Sequence, residues 1–379
     1  MFAHGGAVTV RITLTDEELP PSGDFIAFLR QWISGAPFDG TSWARDGHAR
    51  AIRAGTGASR QQVLRDVSAL VESDEGSRHL TRAYELFVAL LVGDSDALAA
   101  IHDRFRFILV VGIPRSGGKY LTKQLFRALG HDPNTVPEVL GHDAYPDAGP
   151  WRFGEGLGSV SRNGWTTSLQ TTAEYLTMVE LFFGAGAGAG AQSGHSVVVP
   201  SKATKAPYAA GLFRSAFGEN TEAVVTVRHP VPACVSTYEA CGGYPQDGHF
   251  AVRRNIERFC ARELIDLGFT RSQISEMDYF DAYLRYWENY HSRLAMSVAR
   301  ISPTHTVVAY GADAFVGHAR RFATRFGAAD CQIEPFAVKD PTLWRTDWLE
   351  RAEQPMNRVA AQWARAGLEF PLDAVHAAW

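Results

Sequence analysis

The chain has 379 residues, 46% of them hydrophobic, and a formal net charge of −4. That length exceeds one average domain and supplies ample core, while the acidic balance gives no electrostatic case for general nucleic-acid binding. The four cysteines show no CxxC and no paired spacing, which predicts reduced thiols; no apolar run reaches the ~18 residues of a membrane span, and no basic-then-apolar leader opens the chain, so a cytoplasmic protein without a membrane span is expected.

Residues 1–104 predict a mainly helical N-terminal region. After a short alternating piece (Val8, Val10, Ile12, Leu14), apolar residues recur at helical spacing: Phe25, Ile26, Phe28, Leu29 and Ile33, then Val63, Val67, Leu70 and Val71, then Leu80, Tyr84, Phe87, Leu90 and Leu91. Asp94 reads as a helix start. No catalytic constellation falls here, and the region is expected to pack on the remainder, 105–379, with contact to a partner or a part in shaping a substrate entrance as the alternatives.

The organising stretch is Phe107–Leu129. Phe107 to Val111 is a short, β-branched apolar run ended by Gly112, as in a strand buried on both faces. The turn Gly112-Ile113-Pro114-Arg115-Ser116-Gly117-Gly118-Lys119 follows, and Tyr120, Leu121, Leu125, Phe126 and Leu129 recur at helical spacing until Gly130. Strand, glycine-rich turn and helix form a phosphate grip, because glycines let the backbone approach and the amides at the helix start point at the anion. The spacing departs from the Walker A loop, G-x-x-x-x-G-K-[ST]. Gly118 follows Gly117, Lys119 comes one place late, and Tyr120 stands where a hydroxyl residue would hold Mg²⁺.

His131–Tyr145 carries His131, Glu138, His142 and Asp143, each a candidate general base or a solvated loop residue. Aromatics Trp151, Trp165, Tyr175, Phe182 and Phe183 follow, with a helix expected over Thr171–Phe183 and a flexible surface loop over Gly184–Gly194. Val197–Pro200 reads as a second buried strand, followed by Lys202 and Lys205. Leu212, Phe213 and Phe217 suggest a helix. Glu222–Val227 reads as a third strand, ending in Arg228-His229-Pro230, with Ser236 and Tyr238 on the next helix. Strands each followed by a basic residue and a helix predict an α/β fold with a P-loop-like parallel sheet flanked by helices. Its ligand site is expected beyond the carboxyl ends of the strands. Tyr244–Met277 carries Arg253, Arg254, Arg258, Arg262 and Arg271 among apolar residues, the pattern of an amphipathic helix with a solvated basic face.

Two of these stretches resemble the motifs of sulfotransferases that use 3′-phosphoadenosine 5′-phosphosulfate (PAPS). Pro114-Arg115-Ser116-Gly117-Gly118-Lys119-Tyr120-Leu121 is similar to the family's P-[KR]-S-G-T-T-x-L. Arg228-His229-Pro230 through Ser236 and Tyr238 is similar to R-x-P-x₅-S-x-Y. Weaker likenesses are Lys205-Ala206-Pro207, the Trp287–His291 helix, and Val307–Tyr310 with Asp313. The resemblance covers about 107–327. It is closer to the tyrosine-protein and diverse bacterial branches than to the cytosolic branch, whose C-terminal R-K-G-x-x-G-D-W-K is absent. Gly118 and Lys119 replace the family's two threonines, so a hydroxyl contact to phosphate is lost and an ammonium is offered instead.

The resemblance implies a sulfotransferase fold, PAPS as sulfuryl donor, a hydroxyl acceptor, and no metal. The 5′-phosphosulfate would lie on Arg115, Ser116, Gly117, Gly118, Lys119 and Tyr120, and the 3′-phosphate on Arg228 and Ser236. Arg115 and Lys205 would neutralise the leaving 5′-phosphate, with Lys202 as the alternative to Lys205. Glu138 would be the base, with His142 as the alternative. A small-molecule or natural-product acceptor is favoured. The competing expectations are a P-loop kinase or other nucleotide phosphotransferase, and an inactive sulfotransferase-like binding module.

Overall fold

The computed structural model describes residues 21–38, 57–141, 162–184, 192–193, 196–328, 330–338 and 345–378. Helices α1 (Gly23–Ile33), α2 (Gly57–Val71), α3 (Asp74–Val92) and α4 (Ser95–Arg104) lead into strand β1 (Phe105–Val111). Side-chain caps start three of them: the Ser22 hydroxyl accepts from Phe25 N, Ser73 from Gly76 N, and Asp94 from Asp96 N and Ala97 N. After β1 come α5 (Gly118–Ala128), α6 (Glu138–Gly141), α7 (Arg162–Gly184), β2 (Gln192–Ser193), β3 (Ser196–Lys202), a 3₁₀ turn over Ala206–Tyr208, and α8 (Ala210–Phe217). Then follow β4 (Glu222–Val227), α9 (Pro230–Ala240), α10 (Asn255–Asp266), α11 (Arg271–Glu276), α12 (Tyr279–Ile301), β5 (Thr304–Ala309), α13 (Ala312–Arg325), α14 (Thr346–Arg365) and α15 (Leu372–Ala377).

The sheet order is β2-β3-β1-β4-β5. The four longer strands run parallel, and β2 pairs antiparallel with β3. β1 lies between β3 and β4 because both its faces are apolar. Phe105, Phe107, Leu109 and Val111 join the core on one side, with α7, α8, α9, α12 and α14. Ile108 and Val110 join Leu121, Leu125, Phe315 and Phe322 on the other, under α5 and α13. The chain leaves β1 to form β3 on one flank, then crosses to form β4 on the other. The carboxyl end of β1 is therefore a topological switch point, where open parallel sheets leave a crevice.

The N-terminal helices have no core of their own. Phe25, Ile26, Leu86, Leu98 and Ile101 belong to the same buried cluster as the β1 residues. Arg82 of α3 pairs with Glu180 of α7 at 2.8 Å, and Ser22 N, at the start of α1, donates to Glu174 of α7 at 2.8 Å.

Three local expectations change. The helix expected from Thr171 starts at Arg162, nine residues earlier. Within the helix, Thr171, Thr172 and Thr177 donate back to carbonyls three to four residues earlier and stay buried. The stretch expected as surface loop contributes Gln192–Ser193 to the sheet edge; Gly184 closes α7, and 185–191 and 194–195 lie outside the described residues. The basic stretch after Tyr244 folds as two helices, α10 and α11, rather than one. Gly268 at φ +93 sits between them, and Thr270 and Gln273 form a capping box for α11. The alternating piece Val8–Leu14 and Trp151 lie outside the described residues. Among the described residues no helix is long and apolar enough to cross a membrane.

Candidate functional site

The loop after β1 is shaped by what lies beneath it. A Cβ on Gly112 would fall 2.2 Å from Thr226 Oγ1 of β4, so only glycine fits. Ser116 is buried and turned inward. Its hydroxyl donates to the Ile113 carbonyl at 2.7 Å and shares a 2.7 Å bond with Thr226 Oγ1, while its N–H reaches Ile113 O at 3.2 Å. Ser116 thus locks the turn from inside, its hydroxyl bonds being directed into the protein.

Gly117 combines φ +87 with a would-be Cβ 2.1 Å from Phe315 Cε2, so no side chain is accommodated there. It opens α5, whose first intrahelical bond is Leu121 N to Gly117 O at 3.1 Å. The amides of Gly118, Lys119 and Tyr120 therefore have no acceptor within the helix, the arrangement by which a helix start can hold an anion. The Tyr120 side chain leaves the site. Its phenol donates to the Glu334 carbonyl, its ring packs on Phe315 and Phe336, and burial, then Glu334, raises its pKa. Only its backbone can face an anion.

Arg115 has φ +72, the only positive φ of a non-glycine residue among those described, a conformation that costs about 1–2 kcal/mol. Two bonds hold it. Arg228 Nη1 donates to the Arg115 carbonyl at 2.9 Å, and Arg115 Nε donates to Ser236 Oγ at 2.9 Å. Residues from the two motifs, 113 and 121 positions apart, therefore meet in one cluster. Arg115 faces the Arg228–Ser236 side, so the two expected phosphate clamps share it.

Arg228 is 5% exposed. Its guanidinium lies over the Tyr310 ring, 3.9 Å from the centroid. Among the described residues no carboxylate forms an ion pair with it, and its Nε has no hydrogen-bond partner. Burial lowers its pKa, Tyr310 and Tyr283 oppose that shift, and Arg115 adds to it. The backbone is fixed from both sides: Trp287 Nε1 donates to Arg228 O at 3.0 Å, and Tyr310 N to Val227 O at 2.7 Å. Next to it, His229 caps α9 by accepting from Val231 N at 3.2 Å, and burial with His376 and Arg228 nearby pushes its pKa down to about 3.

The two lysines after β3 differ. Lys202 runs its stem over the start of α5, where a Cβ on Gly118 would come 3.2 Å from Lys202 Cε, and its ammonium donates to Thr204 Oγ1 at 3.1 Å. Lys205 is also buried and begins the 3₁₀ turn, its carbonyl accepting from Tyr208 N at 3.0 Å. Lys202, the residue expected as the alternative to Lys205, is the one whose stem lies against Gly118.

Glu138 opens the one-turn α6. Its Oε1 is 3.2 Å from Lys119 Nζ, beside a cavity of about 60 Å³ lined also by Lys123, Asn134 and Pro137. His131 is instead a packing residue, edge-on to Phe126 and Phe183, with its pKa lowered by burial. His142 and Asp143 lie outside the described residues. Thr226, the platform role of Tyr310, and Glu334 escaped sequence reasoning. Only Thr226 left a signal, as a polar residue near the end of an otherwise apolar strand. Among the described residues no cluster of three or more His, Cys, Asp or Glu is placed to hold a metal. No protein-family model matches this chain, and searches of curated proteins and of solved structures return no match.

Proposed function

We propose that the chain is a PAPS-dependent sulfotransferase acting on a hydroxyl acceptor, built on a sulfotransferase-type variant of the helix-flanked parallel sheet. The observation that carries this reading is Arg228, a nearly buried guanidinium without a carboxylate partner among the described residues, joined through Arg115 and Ser236 to the uncapped start of α5. Burying an unpaired charge is costly, and an anionic ligand removes that cost. A nucleotide with anions on both its 3′ and 5′ positions fits two adjoining anion sites, whereas a 5′-nucleotide leaves the Arg228 side unused.

PAPS supplies the activated sulfuryl group. The α5 amides and Lys202 hold negative charge at the 5′ end, and Arg228 and Ser236 hold it at the 3′ end. Arg115 spans the two, with Lys205 the second candidate cation beside Lys202. Glu138 accepts the proton of the acceptor hydroxyl as its oxygen bonds to sulfur and the bond from sulfur to the 5′-phosphate oxygen breaks. As in phosphoryl transfer, the protein's work is positioning and charge stabilisation.

The test is titration calorimetry with adenosine 3′,5′-bisphosphate, AMP and ATP side by side, with and without EDTA. The bisphosphate is expected to bind much more tightly than AMP, independently of EDTA. Equal binding of bisphosphate and AMP removes the 3′ site, and Mg²⁺-dependent ATP binding favours a phosphotransferase.

A further inference from the structure

The geometry points to Lys119 as the residue that couples filling of the α5 anion site to release of the Glu138 carboxylate, an inference that rests on the sulfotransferase reading above. Lys119 belongs to both places. Its backbone N–H is one of the amides at the start of α5 without an acceptor inside the helix, and its ammonium lies 3.2 Å from Glu138 Oε1. Among the described residues Glu138 is the only carboxylate in ion-pair contact with it.

The pair faces solvent, with side chains 57% and 28% exposed for Lys119 and Glu138. Exposed pairs of this kind hold together only weakly, so the ammonium exchanges partners at small cost. A phosphate or phosphosulfate against the amides of Gly118, Lys119 and Tyr120 places a stronger attractor beside the same flexible side chain. The ammonium then turns to the anion. Glu138 keeps only Lys123, one turn further along α5, as a cation lining the same small cavity. Without donor the carboxylate is engaged by Lys119; with donor it is free to take a proton. Acceptor activation thereby waits for donor binding, without any movement of the backbone.

The coupling is measurable without an acceptor. Adenosine 3′,5′-bisphosphate is titrated into the wild-type chain and the Lys119→Met, Glu138→Gln and double variants. Lys119→Met should weaken binding. Glu138→Gln should tighten it by about two- to fivefold, the release of a weak ion pair expressed as affinity. In the Lys119→Met background Glu138→Gln should change nothing. Lys119→Arg, which keeps the charge, should keep the dependence on Glu138 and so separates a lost cation from a damaged fold. If Glu138→Gln tightens binding equally with and without Lys119, the carboxylate repels the ligand directly and the coupling is refuted. Absence of tightening in the wild-type background refutes it as well. A wild-type chain that does not distinguish the bisphosphate from AMP fails at an earlier point, removing the sulfotransferase reading itself.

Discussion

Arg228 sits where a lone cation is least comfortable. Tyr310 offers its ring face and Arg115 a carbonyl, but neither neutralises the charge. Arg228→Ala should therefore weaken adenosine 3′,5′-bisphosphate by about 2–4 kcal/mol, the order of a desolvated charge-assisted contact, while AMP affinity barely changes; calorimetry that finds equal losses for both ligands points to a disturbed loop instead. Glu138→Gln keeps size and hydrogen-bonding reach but removes the carboxylate proposed as base. Once a panel of phenols, sugars and hydroxylated metabolites has yielded an acceptor, turnover should fall roughly 10²–10⁴-fold, and a variant that retains full turnover transfers the role to another residue. At this scale the sequence displayed the chemistry but not its direction. Arg115, Arg228 and Ser236 were legible as types at fixed spacing. That Ser116 turns inward to Thr226, and that Lys202 rather than Lys205 lies on Gly118, depends on contacts between strands far apart in the chain.

Among the elements, α7 carries a buried carboxyl with its own pH signature. Glu174 accepts from Ser22 N at 2.8 Å and Gln170 Nε2 at 3.0 Å, while among the described residues its other, buried oxygen has no hydrogen-bond partner. Burial outweighs these donors and raises its pKa to about 7, with Asp24 adding to the shift. The folded state thus binds a proton that the unfolded chain releases near its ordinary value of 4.5. The stabilisation is complete below that value and is lost as pH rises through about 7. Thermal melts from pH 6 to 8.5 should show the wild-type midpoint falling relative to Glu174→Gln; parallel curves would remove Glu174 from the balance. The element boundaries follow the same logic. β1, β3 and β4 were readable because burial on both faces demands unbroken apolar runs. The first nine residues of α7 were not, because Asn163, Gly164, Thr166, Thr167 and Ser168 are weak helix formers.

Across the whole molecule, the boundary between the helical region and the sheet falls at Arg104–Phe105, where α4 hands over to β1 with no intervening linker. The two sides share one buried cluster. Calorimetric unfolding is therefore expected as a single transition, and two separable transitions, one assignable to 1–104, would divide the chain there. The parallel sheet was legible from the repeated strand–cation–helix pattern. The merging of the N-terminal helices into its core was not, since amphipathic helices do not declare which partner they cover.

The strap at 331–338 sets a timetable for biosynthesis. Glu334 takes a hydrogen bond from Tyr120, 214 positions earlier, and gives its N–H to Gln124, while Phe336 covers Tyr310 and Phe315. At ~5–20 residues per second, a ribosome needs on the order of ten to forty seconds to make the stretch between them. For most of that interval the loop after β1 exists as a nascent segment whose two later supports, the Tyr310 ring and the strap, have not been made. The glycines and cations emerge early, the aromatic wall that orders them emerges late, and a chain stalled before residue 310 would carry both sequence motifs with no finished site.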